Sequence, residues 1–175
     1  MAKNVAVIAF NPVNGMGLFQ YLEAFFENGI QYKVYAVAEG KEIKTNSGIA
    51  LMADDVIANL ISKVNDYDAV VFACGDAMIK FRENADKQYN KDMMAVLSKF
   101  NEEGKMIIGH CAAAMIFDAL GIADGKKVAV HPYGKPAIQK GIATDELIEI
   151  NGNLYTAQTE NALNVLIPKL LEVLK

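Results

Sequence analysis

Residues 106–114 read Met-Ile-Ile-Gly-His-Cys-Ala-Ala-Ala, and this stretch decides the fold. Its apolar start lacks polar alternation, which is typical of a strand buried on both faces of a parallel sheet. The alanines predict a helix that begins directly after the strand. Cys111 therefore lies on a tight strand-to-helix turn, where small neighbours are needed because the backbone bends sharply. This arrangement is a cysteine version of a nucleophile elbow.

Strands and helices alternate in the same way along the rest of the chain. Apolar runs of strand length occupy residues 5–10, 32–37 and 69–73, and helical patterns with three-four spacing lie between the strands. The apolar residues of these patterns are Leu18, Leu22, Phe25 and Phe26, then Ile57, Leu60, Ile61 and Val64, then Met93, Val96, Leu97 and Phe100. Such alternation predicts an α/β fold with a mostly parallel sheet covered on both sides, in which residues 69–73 and 106–108 are the central strands. The aromatic residues Phe19, Phe25 and Phe26 are predicted to lie in the core.

The C-terminal part of the chain predicts a hairpin and a last helix. Residues 147–156 form two short strand patterns around Asn151-Gly152, a strong turn signal. The apolar stripe that follows begins after Thr159, a plausible N-cap residue, and contains Pro168. Proline lacks the backbone N–H of a helix interior, so we expect it to kink the helix or to split it in two.

Composition excludes several classes of protein. The chain has 175 residues, 53% of them hydrophobic and 22% charged, which excludes disorder and collagen-like repeats and predicts one domain over residues 1–175. The net charge is −4 and basic residues are scattered, which argues against nucleic acid and membranes as partners. No apolar stretch approaches the roughly 18 residues that cross a bilayer, so a soluble, cytoplasmic protein is predicted.

Metal and cofactor sites are not indicated. The two cysteines, Cys74 and Cys111, are not accompanied by Cys or His at metal spacing, and such cysteine usage suits a reducing compartment. The loop from Asn14 to Gly17 contains Gly-x-Gly without the longer glycine fingerprint of dinucleotide sites. No cofactor is therefore predicted, and the cysteines matter as thiols if they matter at all.

Chemistry is expected beyond the carboxyl ends of the strands, where ligands bind in open parallel sheets. A sulfur at residue 111 would feel the positive end of the following helix, which favours the thiolate; the alternative is an inert, buried thiol. The backbone N–H groups of Gly75 and Ala112 could hold an oxyanion, although Gly75-Asp76 could equally be a simple turn.

Two histidines and a second cysteine lie near the elbow in sequence. His131 follows the apolar run 128–130 and could orient or deprotonate the thiol, or it could be a structural residue. His110 is a poorer base for Cys111, because adjacent residues at a strand end point in opposite directions. Cys74 could pair with Cys111 as a disulfide or resolving thiol, or it could be inert.

With these features placed, the sequence resembles the ThiJ/PfpI superfamily over nearly its whole length. The likeness rests on the elbow at residues 107–113 and the His-Pro segment at residues 124–132, together with residues 69–75 and 151–156. The resemblance implies a flavodoxin-like three-layer α/β/α sandwich and a homodimer that acts on a small molecule. It also implies that Cys111 is the reactive cysteine, that His131 is the nearby histidine, and that Gly75 and Ala112 are the oxyanion donors.

Two departures from the family pattern limit what the site can do. Gly17 stands where family members usually carry a Glu or Asp bonded to the cysteine sulfur, and Asn14 cannot exchange a proton as a carboxyl does. Asp76, beside the oxyanion position, is the candidate replacement for the acid. Protease-like members have His directly after the cysteine, whereas Ala112 follows here and His110 precedes, which disfavours proteolysis.

Two functions and a structural alternative follow. The first is a cysteine-dependent hydrolase or an enzyme of the glyoxalase or deglycase type, in which Cys111 attacks a small electrophile and His131 moves the proton. The second is a catalytically silent, dimeric redox-sensing or ligand-binding protein that has lost the acid. The third is a protein in which Cys111 is buried and inert.

Overall fold

The computed structural model describes residues 3–75, 78 and 81–175, and these residues form strands and helices in alternation. The strands are β1 Asn4–Phe10, β2 Gln31–Val37, β3 Glu42–Lys44, β4 Ala50–Met52, β5 Asp55–Val56, β6 Ala69–Ala73, β7 Met106–His110, β8 Lys127–Ala129, β9 Ile142–Thr144, β10 Ile148–Asn151 and β11 Leu154–Ala157. The α-helices are α1 Gly15–Glu27, α2 Gln88–Glu102, α3 Ala113–Ala119 and α4 Leu163–Leu174.

The main sheet of the described residues has seven strands in the order β10-β11-β7-β6-β1-β2-β5. All neighbouring strands are parallel except β10 and β11, which form the predicted antiparallel hairpin around Gly152, a residue with φ of 63°. The central positions of β6 and β7 are confirmed, and every residue of β6 is buried. Because β1, β6 and β7 are parallel, their carboxyl ends lie at the same edge of the sheet.

Helices cover both faces of this sheet, as the alternation predicts. On one face, α2 and α3 pack on side chains such as Ile8 and Phe72. On the other face, α1 and α4 pack on the intervening side chains, such as Val7 and Val71. The alternation along each strand therefore supplies two apolar cores, one on either side of the sheet. The three-layer α/β/α sandwich is confirmed.

Two expectations about helical stripes were wrong. Residues 57–64 belong to two short 3-10 helices, Ile57–Asn59 and Ile61–Asp66, rather than to an α-helix. A 3-10 helix has three residues per turn, which turns Ile61 away from the core and leaves it 43% exposed. In α1 the buried stripe is Leu18, Tyr21 and Phe25.

The aromatic residues of α1 also differ from the expectation, since Phe26 is 76% and Phe19 38% exposed. Phe26 follows Phe25 by one residue and is rotated about 100° around the helix axis, so only Phe25 faces the core.

Pro168 does not split the last helix. Thr159 caps a 3-10 turn, Glu160–Ala162, which leads into the continuous helix α4. Pro168 lies on the exposed side of α4, while the leucines of its buried stripe pack against the sheet. The loss of one backbone hydrogen bond on the exposed side is tolerated because the packing of the opposite side holds the helix together.

Candidate active site

The chain bends sharply between β7 and α3, and Cys111 lies at the bend. Its φ is 57°, the only positive φ at a non-glycine residue among the described residues. The Cys111 N–H donates to the carbonyl of Ala157 over 3.0 Å, and the His131 N–H donates to the carbonyl of Cys111 over 3.2 Å. Neighbouring segments thus hold both sides of the strained residue, which is the environment that such a backbone needs in order to persist.

Glycine at position 109 permits this bend. A Cβ there would lie 2.6 Å from the Cβ of Ala113 and 2.8 Å from the ring of Phe117. The strand and the helix can therefore approach closely only because residue 109 has no side chain and residue 113 has a small one. This is the physical reason for the small residues that the sequence shows around the elbow.

Cys111 borders a cavity of about 300 Å³ at the carboxyl edge of the sheet. Its lining residues are Asn14, Cys74, Gly75, Met78, Cys111, Ala112, Met115, His131, Tyr133 and Gly134. The cavity thus brings together the five predicted residues Asn14, Gly75, Cys111, Ala112 and His131. None of its described lining residues is a carboxylate. Asp76, which was predicted to replace the family acid, lies outside the described residues.

Sequence reasoning missed four residues of the cavity wall, Met78, Met115, Tyr133 and Gly134. Tyr133 and Gly134 could have been predicted, because they follow His131 within three positions and lie in the 3-10 helix that His131 caps. Met78 and Met115 carry no such signal, since methionine is an ordinary core residue.

Asn14 and Gly75 are held against each other by backbone contacts. The Asn14 N–H donates to the carbonyl of Cys74 over 3.1 Å, and its side-chain Oδ1 accepts from the Gly17 N–H over 2.7 Å, so Asn14 is the N-cap of α1. A Cβ at Gly75 would lie 2.5 Å from the Pro12 carbonyl oxygen and 2.6 Å from the Asn14 nitrogen. Gly75 therefore allows the end of β6 to pack directly beneath the loop after β1.

His131 is half-buried and its ring stacks on Tyr133 at a centroid distance of 5.1 Å. Its Nδ1 accepts a hydrogen bond from the Tyr133 N–H over 3.3 Å. In the neutral ring the proton therefore lies on Nε2, which makes Nε2–H a hydrogen-bond donor. In this arrangement His131 is better suited to donate a hydrogen bond through Nε2 than to accept the thiol proton.

His110 points away from the cavity and lies beneath α1, as the alternation of side chains predicts. It is buried, its Nδ1 is 3.4 Å from the hydroxyl of Tyr21, and its Nε2 has no hydrogen-bond partner among the described residues. Burial lowers the pKa of His110 to about 4, against the opposing effect of Glu160. The ring is therefore neutral at pH 7.

Gly17 does not line the cavity, contrary to the expectation that it belongs to the substrate-binding loop. A Cβ at Gly17 would lie 2.3 Å from Nε2 and 2.7 Å from Cε1 of His110. The His110 ring thus fills the space into which a side chain at position 17 would project. A histidine at position 110 therefore requires a residue without a side chain at position 17, where family members usually carry an acid.

Cys74 is fully buried and lies against the elbow from the neighbouring strand. Its thiol donates to the carbonyl of His110 over 2.9 Å. The hydrogen bond with the Cys111 thiol and burial raise the pKa of Cys74 well above its ordinary value, while the N–H groups of Ala112 and Ala113 act in the opposite direction. The two sulfurs are therefore neighbours, and the Cys74 thiol is protonated at neutral pH.

An α/β sandwich with a strained cysteine at the carboxyl edge of its sheet defines a class of proteins with a nucleophile elbow. A family model described as DJ-1/PfpI matches residues 3–173 of the chain. The chain belongs to the DJ-1/PfpI family, as the resemblance of its sequence implies.

Similar proteins support the family and the fold. Protein ppBat of Bacteroides thetaiotaomicron is 63% identical over 175 residues, which cover 100% of both chains. A crystal structure described as that of "the putative protease I" from Bacteroides thetaiotaomicron has 63% identity and a TM-score of 0.98, and covers 99% of this chain and 100% of that one. Drosophila melanogaster DJ-1beta has 22% identity and a TM-score of 0.85, with coverage of 99% and 91%, and shows the fold alone.

The part of the chain that the structure describes has neither a membrane-spanning helix nor a cluster of metal-binding side chains. No described helix is long and apolar enough to cross a bilayer. Within residues 3–75, 78 and 81–175, no group of three or more His, Cys, Asp or Glu side chains could hold a metal ion.

Proposed function

We propose that the protein is a Cys111-dependent enzyme that acts on a small electrophilic carbonyl compound, by hydrolase chemistry or by chemistry of the glyoxalase or deglycase type. The observation that carries this proposal is the strained cysteine at the border of a cavity that His131 also lines. A backbone conformation that costs about 1–3 kcal/mol is retained mostly where it positions a side chain for function.

The reaction begins with addition of the Cys111 sulfur to the carbonyl carbon. A C–S bond forms, and the electron pair of the C=O π bond moves to the oxygen. The N–H groups of Gly75 and Ala112 are the proposed donors to this oxyanion, and the Nε2–H of neutral His131 donates a further hydrogen bond to it. The proton that leaves the Cys111 thiol is the one that the oxygen finally receives. The hydrogen bond from Tyr133 to Nδ1 supports this role, because it keeps the proton on Nε2.

The cavity favours a small substrate over a peptide. A volume of about 300 Å³ is at the lower end of the range for ligand pockets, and the thioether side chains of Met78 and Met115 line part of it. The word protease belongs to the description of a relative. In this chain the residue after Cys111 is alanine, and His110 lies on the opposite side of the strand beneath α1. Both observations argue against proteolysis.

Turnover is expected to be slow. Positioned general acid/base catalysis typically contributes 10²–10⁴-fold to a rate, about 3–5 kcal/mol of barrier. The described cavity wall offers one imidazole and no carboxylate for this purpose. The step that needs a second proton-transfer group, release of the product from sulfur, should therefore limit the rate.

Consumption of methylglyoxal, a small 2-oxoaldehyde, tests the proposal. The wild-type protein should consume it slowly and form a thiohemiacetal at Cys111, whereas Cys111→Ala should show neither consumption nor adduct. Ser62→Ala, an exposed position on a 3-10 helix, is the matched control and should behave as the wild type. Equal consumption by Cys111→Ala and the wild type would refute a Cys111-dependent enzyme.

The second candidate is a catalytically silent protein that senses oxidants or binds a ligand. The observation that favours it is the lack of a carboxylate among the described cavity residues together with the buried thiol beside Cys111. Methylglyoxal that is left unchanged, combined with rapid modification of Cys111 by peroxide, would select this candidate over the enzyme. Failure of Cys111 to react with either compound would exclude both the enzyme and the oxidant sensor.

We also propose that the chain forms the homodimer that the family resemblance implies. Met16 and Phe19 of α1 and Ile49 of the adjacent β3–β4 hairpin are exposed, with Met16 at 57% and Ile49 at 55%. A second copy of the chain would cover these apolar side chains. Light scattering during size-exclusion chromatography should give the mass of two chains, and the mass of one chain would contradict the proposal.

A further inference from the structure

The parallel pairing of β6 and β7 brings the two cysteines of the chain together. The last paired residues of these strands are Phe72 and Gly109. Two positions further along each strand comes a cysteine, Cys74 after β6 and Cys111 after β7. Neighbouring strands lie about 4.8 Å apart, and a disulfide requires Cα atoms about 4.4–6.8 Å apart. A continuation of this register beyond the two strands would bring the two cysteines to about the separation that a disulfide spans.

The side-chain contacts agree with this spacing. The Cys74 thiol donates to the carbonyl of His110, the residue directly before Cys111, over 2.9 Å. The side chains of Cys74 and Cys111 are hydrogen-bonded to each other, and both line the same cavity. The two thiols therefore face each other rather than opposite sides of the sheet.

The two thiols differ in their access to solvent. Cys74 has no exposed surface, whereas Cys111 is partly exposed. A reagent that enters the cavity meets the sulfur of Cys111 first, while Cys74 is shielded behind it. Cys74 is thus protected from external oxidants while its sulfur lies beside that of Cys111.

We propose that Cys74 is the resolving thiol of Cys111, so that oxidation by a hydroperoxide ends in a reversible Cys74–Cys111 disulfide. This inference rests on the proposed function only in needing a Cys111 sulfur that small molecules reach. It assigns to Cys74 a role that a merely structural thiol does not have, and it gives the site a reversible inactive state.

The chemistry balances in two steps. The Cys111 sulfur attacks one peroxide oxygen, the O–O bond breaks, and the sulfenic acid and one water form after protonation of the leaving oxygen. The Cys74 sulfur then attacks the Cys111 sulfur, the S–O bond breaks, and the hydroxide leaves with the Cys74 proton as a second water. The two thiols together lose two electrons and two protons, and one hydrogen peroxide is reduced to two waters.

A Cys74–Cys111 disulfide would block the nucleophile and leave the rest of the cavity in place. The nucleophilic sulfur would be tied to a fully buried partner, so that addition to a carbonyl compound stops until a thiol reductant restores it. Without Cys74, oxidation of an exposed sulfenic acid continues to the sulfinic acid, which most reductants do not reverse. Cys74 therefore keeps the oxidation of Cys111 reversible.

Peroxide titration followed by mass spectrometry tests the proposal. The full-length wild-type chain treated with hydrogen peroxide should lose about 2 Da, yield a peptide linked through Cys74 and Cys111, and return to its original mass with dithiothreitol. Cys74→Ala should instead gain about 16 or 32 Da at Cys111. Cys74→Ser provides a second variant that retains a polar side chain, and it should behave as Cys74→Ala does.

The outcomes distinguish the two proposals. Wild-type protein that accumulates sulfinic acid at Cys111 while Cys74 remains a free thiol would overturn the resolving role and leave the proposed enzyme intact. Wild-type protein in which Cys111 reacts with neither peroxide nor methylglyoxal would overturn both. The linked peptide from the wild type decides the matter even if the Cys74 variants fold poorly.

Discussion

Replacing Gly17 with glutamate is expected to destabilise the fold by at least about 3 kcal/mol and not to restore the family's acid. The new Cβ would lie 2.3 Å from Nε2 of His110, whose ring is buried and packs on Tyr21 with a centroid distance of 5.6 Å. The ring must be displaced from its packing against Tyr21, and the carboxylate would be buried beside a histidine that is neutral at pH 7. Urea unfolding of Gly17→Glu and the wild type measures the loss.

Removal of the imidazole should reverse most of this effect. Gly17→Glu/His110→Ala frees the volume that the ring occupies, so the double variant should be more stable than Gly17→Glu alone, with a coupling free energy above about 1 kcal/mol. Strictly additive effects of the two substitutions, or a Gly17→Glu variant as stable as the wild type, would show that the two positions do not compete for space.

Gly75→Ala is expected to be nearly as damaging, at about 3 kcal/mol, although it adds a single methyl group. The atoms within 3 Å of the new Cβ belong to the backbone of Pro12, Val13 and Asn14 and cannot rotate away as a side chain can. The loop after β1 must shift, and the hydrogen bond from the Asn14 N–H to the Cys74 carbonyl must lengthen. Because Asn14 caps α1, part of the cap's contribution should be lost as well.

Gly40→Ala is the matched control for this substitution. A Cβ at Gly40 meets no atom within 4 Å, and its backbone is in a region that any residue adopts. Its free energy of unfolding should therefore change by less than about 0.5 kcal/mol. Equal effects of Gly75→Ala and Gly40→Ala in urea unfolding would contradict the close packing of β6 beneath the loop. The rate of iodoacetamide reaction at Cys111 should fall in Gly75→Ala alone.

The sandwich and the elbow could be predicted from the sequence because their signals are local. The apolar run that ends in Gly109, the small residues after Cys111 and the Asn-Gly turn each determine the backbone over a few residues. The 3-10 helices after β5 were not predictable, because a stripe with three-four spacing does not distinguish a complete α-helix from shorter helical turns. Phe26 was misplaced because the edge of a stripe depends on how the helix is rotated against the sheet.

The sequence predicted which residues form the candidate site better than it predicted how their side chains contact one another. The ends of parallel strands meet at one edge, which brings Gly75, Cys111 and Asn14 together without further information. The exclusion of a side chain at Gly17 by His110 depends on a tertiary contact between α1 and β7. This relation leaves no signal in the neighbouring residues. The adjacency of the two thiols could be anticipated, because each cysteine directly follows a central strand, but the contact between their side chains depends on strand register.

The most direct test of the account is the alkylation of the two cysteines by iodoacetamide across pH, followed by peptide mass mapping. If Cys111 is a nucleophile at the cavity, it should react in the folded protein with a midpoint below the pKa of about 8.5 of an ordinary cysteine. Cys74 should remain unmodified until the protein is denatured. A Cys111 that is inert in the folded protein and reacts only after denaturation, as Cys74 does, would contradict the account.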